Sequence, residues 1–397
     1  MDIFVYKAKD KEGKIVSGRI EAASFILAFR ELASRKLEPI SLRIKPGFFE
    51  SILPVKVKAR DRALFYRQLS TMLKAGVSIV RALEVCQKTE NKYLSKIVSQ
   101  IKRALEEGLP FSFTLAGYPK SFPEVDIGVI KAGEVTANLE KVLKELSDET
   151  MHSASFVSRI KGAMIYPAFI LITLLAIGIL VLIKVIPPIK QVFEEAKVPL
   201  PLATRILIKS SDFVQKDWLL IVIALVFLAI LFRIFLSLRF TKLLYSKIMI
   251  RSPILGKFTQ EVFLARFSRT LNLLLKAGIP IVQAIRITKG VTTNLIYQMA
   301  LEKAAEAVAQ GFSLSDTLEK SKCFPSMVLH LILTGEQTGD LNPAFNTMVE
   351  YYEEEVETKL KNFSTLIEPI IIVIIGIAVG FMILSILTPI YNIAQVT

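Results

Sequence analysis

The sequence has few of the residues on which most catalytic and metal sites depend. Its 397 residues include two cysteines, two histidines and one tryptophan. Cys86 and Cys323 are isolated and have no metal-ligand spacing, while His152 and His330 are interpreted as helix-surface or core residues. No phosphate-binding P-loop, GxGxxG turn, HExxH motif or GxSxG elbow occurs. The sequence therefore predicts no catalytic site, no cofactor and no metal, in a chain that is not an enzyme.

The share of polar residues is also low. Hydrophobic residues make up 52% of the chain and the mean hydropathy is +0.48, which is too high for an ordinary soluble protein. Three segments reach the length of about 20 apolar residues that crosses a bilayer core. We predict transmembrane helices at 165–186, 218–238 and 366–389. Their interiors carry almost no ionisable residues, which argues against a coupled transporter or pump.

Acidic residues are too few to balance the basic ones, and the net charge is +14. Basic residues near the ends of the apolar segments predict which side faces the cytoplasm. These residues are Arg159, Lys161, Arg239, Lys242, Lys359 and Lys361. We expect a multi-pass inner-membrane protein with a cytoplasmic N-terminus, two large cytoplasmic domains and an external C-terminus. The excess charge fits cytoplasmic retention and contact with anionic lipid; an acidic protein partner is the second interpretation, and nucleic acid is not expected.

The chain does contain a long internal duplication. KAGVSIVRAL, which includes Gly76, returns as KAGIPIVQAI, which includes Gly278, 202 residues later. GEVTANL and GEQTGDL have the same separation, whereas Gly108 and Gly311 differ by 203 because of a one-residue slip. A constant offset over about 120 residues predicts two domain-sized copies.

Each copy has the apolar spacing of helices. Gly76 and Gly278 are predicted to end the first helix of each copy in a left-handed turn. We predict a mainly α, integral membrane fold with two duplicated cytoplasmic bundles of about six helices each, three transmembrane helices and a small N-terminal ββα module. The predicted boundaries are module 1–45, linker 46–60, first bundle 61–164, transmembrane helix 165–186, external loop 187–217, transmembrane helix 218–238, second bundle 239–365, transmembrane helix 366–389 and external tail 390–397.

The GExxGxL-like segments have two interpretations. In the first they are structural turns, with Gly133, Gly335 and Gly339 shaping the backbone and Asn138 and Asp340 capping the next helix. In the second, Glu134 and Glu336 present carboxylates to a partner at a loop tip. We predict partner contacts at Glu134, Glu336, Asp340 and Asn138.

Residues 1–45 differ from the rest. Phe4–Ala8 and Ile15–Ile20 alternate like strands, and Ser24–Lys36 has the pattern of an amphipathic helix. The module is too small for a catalytic cleft, so we expect it to dock. A linker that contains Pro46, Gly47 and Pro54 follows.

These segments together resemble the GspF/PilC family, the inner-membrane platform proteins of type II secretion and type IV pilus machines. The resemblance rests on FVYKAKDKEGKIVSGRIEA near the N-terminus, on RQLSTMLKAGVSIVRAL with its second copy, and on LPLATR. Tyr166-Pro167 and Glu368-Pro369, where the first and third apolar segments begin, fit as well. One departure is Ala137, where the family has glycine, which predicts a differently shaped turn.

The resemblance implies a non-enzymatic platform that couples a hexameric cytoplasmic ATPase to pilin or pseudopilin assembly and protein secretion. It also implies contacts with other inner-membrane platform proteins and a homo-oligomer. Some members hold a metal on carboxylates of the first domain, but Lys144 interrupts that region here, so no metal is expected. The alternative is a transporter or channel subunit with a pore between protomers. The choice between secretion and pilus assembly stays open.

Overall fold

The computed structural model describes residues 2–10, 12–23, 25–44, 57–188, 190–191, 202–237, 243, 246–248, 252 and 255–394. Most of the predicted linker, including Pro46, Gly47 and Pro54, lies outside these residues, and so do Arg239 and Lys242. The chain divides into two compact units. One unit combines Met1–Val157 with Thr259–Glu353, and the other combines Ser158–Phe258 with Glu354–Thr397.

The N-terminal module is a three-stranded antiparallel sheet with one helix. In chain order it consists of β1 (Asp2–Lys9), β2 (Ile15–Ala22), α1 (Phe25–Ser34) and β3 (Glu38–Ile44). β1 lies between β2 and β3. The module was predicted as ββα, and this is corrected because a third strand, β3, follows the helix. In β3 Leu42 is buried and Ile40 is exposed. Pairing with β1 stabilises this short strand, so its own sequence predicts it poorly.

The module packs on the first bundle through aromatic residues of α1. Phe25 and Phe29 each place their ring centroid 5.9 Å from that of Phe113. A Cβ atom at Gly117 would lie 2.6 Å from Cε2 of Phe25, so only glycine leaves room for this ring. The module therefore has a docking surface on its own chain.

The remaining helices repeat in the same order in the two copies. The first bundle contains α2 (Ala59–Lys74), α3 (Ile79–Cys86), α4 (Lys92–Glu106), α5 (Phe111–Ala116), α6 (Glu124–Val135) and α7 (Leu139–Ala163). Then come α8 (Ile165–Leu180), a π-helical turn (Val181–Val185), α9 (Leu202–Lys216) and α10 (Trp218–Ser237). The second bundle contains α11 (Leu255–Lys276), α12 (Ile281–Val291), α13 (Leu295–Ala309), α14 (Leu314–Lys320), α15 (Ser326–Thr338) and α16 (Asn342–Ala394).

The mainly helical fold and the duplication are confirmed. Helix starts also locate the one-residue slip, because α3 and α12 begin 202 residues apart whereas α4 and α13 begin 203 apart. The extra residue therefore precedes α13, and α6 and α15 return to the separation of 202.

Each bundle ends in a helix that continues into an apolar segment. Among the described residues one helical run, Leu139–Pro188, is long and apolar enough to cross a membrane, and its apolar part is almost wholly exposed. A shorter apolar stretch, Pro369–Phe381, lies within the 53-residue α16. α10 coincides with the second predicted span. Three membrane crossings and their orientation remain predictions.

The segment predicted as an external loop at 187–217 contains a helix, α9. Lys190 Nζ lies 2.9 Å from Asp212 Oδ2, and Gln215 Nε2 donates to Ser211 Oγ at 2.9 Å. The loop was predicted from the position of the segment between two apolar stretches, and such a position is compatible with a helix as well. Ser211 and Gln215 lie four residues apart on one face of α9.

Three of the predicted turn glycines have left-handed backbones, with φ of 80° at Gly76, 77° at Gly278 and 75° at Gly339. Ala137 has φ of 53°, so its turn shares the conformation of Gly339 rather than the different shape expected. The prediction that Gly133 and Gly335 form turns is wrong, because both residues lie inside helices. A Cβ atom at either would come within 2.9 Å of a side chain, that of Val142 or Leu341.

Substitutions at the two turns should change stability in opposite directions. A left-handed conformation costs a residue with a Cβ atom about 1 kcal/mol more than glycine. Ala137→Gly should therefore raise the melting temperature of the detergent-solubilised full chain, and Gly339→Ala should lower it. Thermal unfolding followed by circular dichroism measures both. Equal shifts of one sign would contradict the shared left-handed geometry.

Candidate functional site

The two copies contact each other within one compact unit, where α12 of the second copy packs against α6 of the first. Ile287 and Ile279 are only 6% and 5% exposed. A Cβ atom at Gly128 would lie 2.9 Å from Cδ1 of Ile287 and 3.8 Å from Cδ1 of Ile279. The missing side chain of Gly128 thus forms the recess that receives Ile287.

Arg269 connects three helices at this interface. Its Nη1 donates to both carboxylate oxygens of Glu149 on α7 at 3.0 Å, and its Nε donates to Glu353 Oε1 on α16 at 2.8 Å. Burial by itself lowers the pKa of Arg269, but the two carboxylates outweigh it and the net pKa is raised. Burial raises the pKa of Glu149 even though Arg269 opposes it. The guanidinium stays charged and holds the copies together through a half-buried ion triad.

The counterpart of Arg269 in the first copy, 202 residues earlier, is Arg67. Its Nη2 lies 2.6 Å from Asp148 Oδ1, and the side chains of Arg67 and Asp148 are 58% and 44% exposed. The duplicated arginine is therefore a surface residue in one copy and an interface residue in the other. Both arginines occupy the same position of the repeated segment, so the sequence pattern alone does not distinguish them.

A second buried polar cluster belongs to the first copy alone. Arg62 Nε lies 2.7 Å from Asp126 Oδ2, and the Tyr66 hydroxyl donates to the same oxygen at 2.8 Å. Burial raises the pKa of Asp126 although Arg62 opposes it. Three residues of other chemistry occupy the corresponding positions of the second copy: Leu264, Ser268 and Val328.

Arg62 and Asp126 line a cavity of about 380 Å³ between the copies. The facing wall contains Arg266, Thr270 and Asn294. No group of three or more potential metal ligands occurs within the described parts of the chain. Two ion pairs lie in its lining: Arg62 with Asp126 inside the first copy, and Arg269 with Glu149 across the two copies.

Glu134 and Glu336 bind the N-termini of the short helices α5 and α14. Glu134 accepts from the backbone N–H groups of Phe111 at 2.6 Å and Ser112 at 3.1 Å. Glu336 accepts from the N–H groups of Leu314 at 2.5 Å and Ser315 at 3.2 Å. The same glutamate thus links two helices in each copy, because the first N–H groups of a helix have no partner within it.

Glu336 has further donors in the hydroxyls of Ser313 and Ser315, each 2.7 Å from its Oε2. Burial by itself raises the pKa of Glu336, but these hydroxyls and the two N–H groups outweigh it, so the net pKa is lowered. The carboxylate is engaged inside its own bundle. A partner contact at Glu134 or Glu336 remains a prediction.

Asn138 and Asp340 are both exposed in these loops. Asp340 Oδ1 accepts from the N–H of Asn342 at 2.9 Å, so it supports the start of α16. At the start of the first apolar segment Tyr166 is exposed and Pro167 is buried. Pro369 is exposed, and it follows Glu368 inside α16 without a break in the helix.

The two copies match one protein family separately. Residues 65–187 and 267–389 each match the family model "Type II secretion system (T2SS), protein F", and residues 1–43 match the model of its N-terminal domain. The chain belongs to the type II secretion system protein F family. The matched stretches are 202 residues apart at both ends, so the duplication is part of the family's own pattern.

Relatives of this family that resemble the chain carry two kinds of name. A type IV pilus assembly protein PilC of Thermus thermophilus is 30% identical over 401 residues, which cover 99% of this chain and 98% of the relative. A type II secretion system protein F of Pseudomonas aeruginosa is 31% identical over 403 residues and covers 100% and 99%. A PilC protein of the same organism is 29% identical over 94% of this chain and 100% of its own length.

Family membership supports a structural role in secretion or pilus systems, since the family is a platform component and is not known as an enzyme. The family is a component of the bacterial inner membrane. The described geometry agrees with this role, because its paired charges and capping carboxylates connect helices to one another.

Replacing Arg269 should destabilise the chain far more than replacing Arg67. Arg269→Gln leaves two half-buried carboxylates without a cation, which costs on the order of 3 kcal/mol, whereas an exposed pair contributes less than about 1 kcal/mol. Thermal unfolding of the full chain in detergent measures the difference, with Arg67→Gln as the matched control. Adding Glu149→Gln to Arg269→Gln should restore part of the loss. Equal effects of the two arginine substitutions would contradict the interface role.

The contribution of Glu336 should depend on pH. Its folded pKa lies below the unfolded value of about 4.3, so its stabilisation is present above about pH 4.3 and is lost as the pH falls through the folded pKa. Glu336→Gln should lower the melting temperature at pH 7, and its difference from the unsubstituted chain should shrink below about pH 4.3. Glu134→Gln should lower the melting temperature less, because Glu134 accepts from two backbone N–H groups but from no serine hydroxyl corresponding to those of Ser313 and Ser315. A difference in melting temperature that does not change with pH would show that the charge of Glu336 is not responsible for the stabilisation.

Proposed function

We propose that this chain is the inner-membrane platform of a type IV pilus or type II secretion machine. At this platform a hexameric cytoplasmic ATPase drives the addition of pilins or pseudopilins. Its partners are this ATPase, other inner-membrane components of the machine, the pilins or pseudopilins, membrane lipid and further copies of the chain. The names of its relatives support both machines equally.

The continuity of two helices carries the proposal. α7 leads directly into the apolar α8, and α16 contains its own apolar stretch. Each bundle is thus followed along the chain by an apolar segment. In this proposal a displacement of a bundle is passed on through that connection. A platform that transfers motion from an ATPase to membrane-embedded subunits needs such a connection.

The repeat interface supports the same mechanism. Arg269 ties α7 to α16 through Glu149 and Glu353, so the two helices that lead to apolar segments are joined near the places where they leave the bundles. A push on either bundle is then shared by both helices. No bond is made or broken in this role, which fits the family's structural character.

The partner-contact prediction is best tested at exposed residues, since Glu134 and Glu336 also stabilise their bundles. Asp340→Lys should reduce co-purification of the ATPase by about tenfold or more, because a like charge in a charged contact costs more than one factor of ten. Asn138→Lys tests the first copy. Membrane levels, pilus or secretion output and ATPase capture are measured together.

Glu90→Lys, an exposed change between α3 and α4, is the control and should retain ATPase capture. Loss of pilus or secretion output together with loss of capture by Asp340→Lys supports the contact. Full capture by both loop variants would contradict an ATPase contact at these loops.

A further inference from the structure

The cavity between the two copies has the size and the lining of a ligand site. Its volume of about 380 Å³ lies within the range of roughly 300 to 1,000 Å³ that is typical of small-molecule sites. All of its lining residues belong to one compact unit, and they come from both copies. The apolar part of the lining includes Val125, Leu146, Val262, Phe263, Leu273 and Val291. Charged and hydroxyl-bearing side chains complete it, so the cavity offers both apolar and polar contacts.

Arg266 brings an unpaired positive charge to this lining. It is exposed, and it makes neither an ion pair nor a hydrogen bond with another residue that the structure describes. The other two arginines of the lining are each paired with carboxylates. In the first copy the equivalent position, 202 residues earlier, is Leu64, which does not line the cavity. The unpaired guanidinium therefore occurs only in the copy in which this position faces the cavity.

Arg62, on the wall that the first copy provides, also keeps donors. Its Nε pairs with Asp126 Oδ2, and its Nη1 donates to the carbonyl oxygen of Ser121 at 3.2 Å. Nη2 takes part in neither of these contacts, and a guanidinium has two N–H groups on that nitrogen. Donors of this kind suit the oxygens of a carboxylate or a phosphate.

The equivalent positions of the second copy are apolar. Arg62 corresponds to Leu264 and Asp126 to Val328, and both apolar side chains are fully buried. Neither of them lines the cavity. Replacing a buried ion pair by apolar residues of similar volume is often neutral or stabilising, so stability alone does not account for the charged pair of the first copy. Its position at the cavity wall indicates recognition of a polar ligand.

α11 presents apolar and polar groups to the cavity in one row. Val262, Arg266 and Thr270 follow one another at intervals of four residues, and all three line the cavity. Side chains at this spacing are neighbours on a helix, with Cβ atoms about 5 to 6 Å apart. A ligand that contacts the whole row therefore has its charged group close to an apolar body, separated by a few bonds only.

We propose that the cavity binds a small amphipathic anion, which is an apolar body that carries one carboxylate or phosphate group. Arg266 pairs with the anionic group, Arg62 supplies further N–H donors, and Val262 and Leu273 contact the apolar body. The ligand is held without reacting. Because both copies line the cavity, a bound ligand stabilises the arrangement in which they pack together. A short acyl anion from the membrane and a water-soluble aromatic phosphate share this chemistry.

Isothermal titration calorimetry on the full chain in detergent tests the site with two probes, octanoate and phenyl phosphate. Titration into empty micelles supplies the baseline. We expect binding of one molecule per chain with a dissociation constant of about 1 mM or tighter. Binding of octanoate alone indicates a membrane-derived ligand, and binding of phenyl phosphate alone indicates a water-soluble one. Either result, or binding of both, supports the site, whereas failure of both probes to bind would overturn the proposal.

Arg266→Gln should weaken binding of the probe by about tenfold or more, because a charge-assisted contact with the anionic group is lost. Arg286→Gln is the matched control, since Arg286 is exposed on α12 and lies outside the lining. This control should leave the dissociation constant unchanged. Equal effects of the two substitutions would overturn the assignment of the anionic group to Arg266.

Val262→Trp fills part of the cavity and should abolish binding of the probe. Thermal unfolding without the probe checks that each variant is folded, and with the probe it should show a higher melting temperature for the unsubstituted chain. Undiminished binding to a folded Val262→Trp chain would place the probe elsewhere and overturn the proposal. These measurements involve neither the ATPase nor the pilins, so their outcome does not depend on the proposed platform role.

Discussion

Arg269 is the residue on which the arrangement of the two copies depends most. A guanidinium that is 15% exposed between two carboxylates must remain paired, because removing one partner leaves a charge without water or counter-ion. The triad fixes α7, α11 and α16 relative to one another. Since α7 and α16 lead to apolar segments, this local ion triad joins the two helices from which those segments continue.

The duplication produced two copies with the same order of helices, and equivalent residues differ where the copies contact each other. Both retain the glutamate that caps a short helix, because each bundle must satisfy the same free N–H groups. The arginine of the shared segment is buried at Arg269 and exposed at Arg67. Likewise Gly128 leaves room for the side chain of Ile287, whereas the equivalent position of the second copy is the exposed His330. Because α12 of the second copy packs on α6 of the first, equivalent positions of the two copies have different neighbours, which explains this divergence.

Much of the fold could be predicted because its signals are local. The helix-ending turns at Gly76 and Gly278 follow from the left-handed backbone that glycine adopts at low cost, and helical spacing indicated six helices in each copy. β3 was missed because its pairing with β1 stabilises it. Gly133 and Gly335 were assigned to turns, although the demand for glycine comes from neighbouring side chains that are close only in the folded bundle. The segment 187–217 was predicted as a loop from its position between two apolar segments, and the structure places the helix α9 within it.

The sequence by itself determined the duplication, the order of the helices, the apolar segments and the family resemblance, because each depends on spacing along the chain. Tertiary structure decided which face of each copy is used and which of two equivalent arginines joins the copies. It also showed that Glu134 and Glu336 bind helix ends within their own bundles. These properties depend on distances between residues far apart in the sequence, and two copies with the same local pattern cannot reveal from that pattern which of their faces will meet.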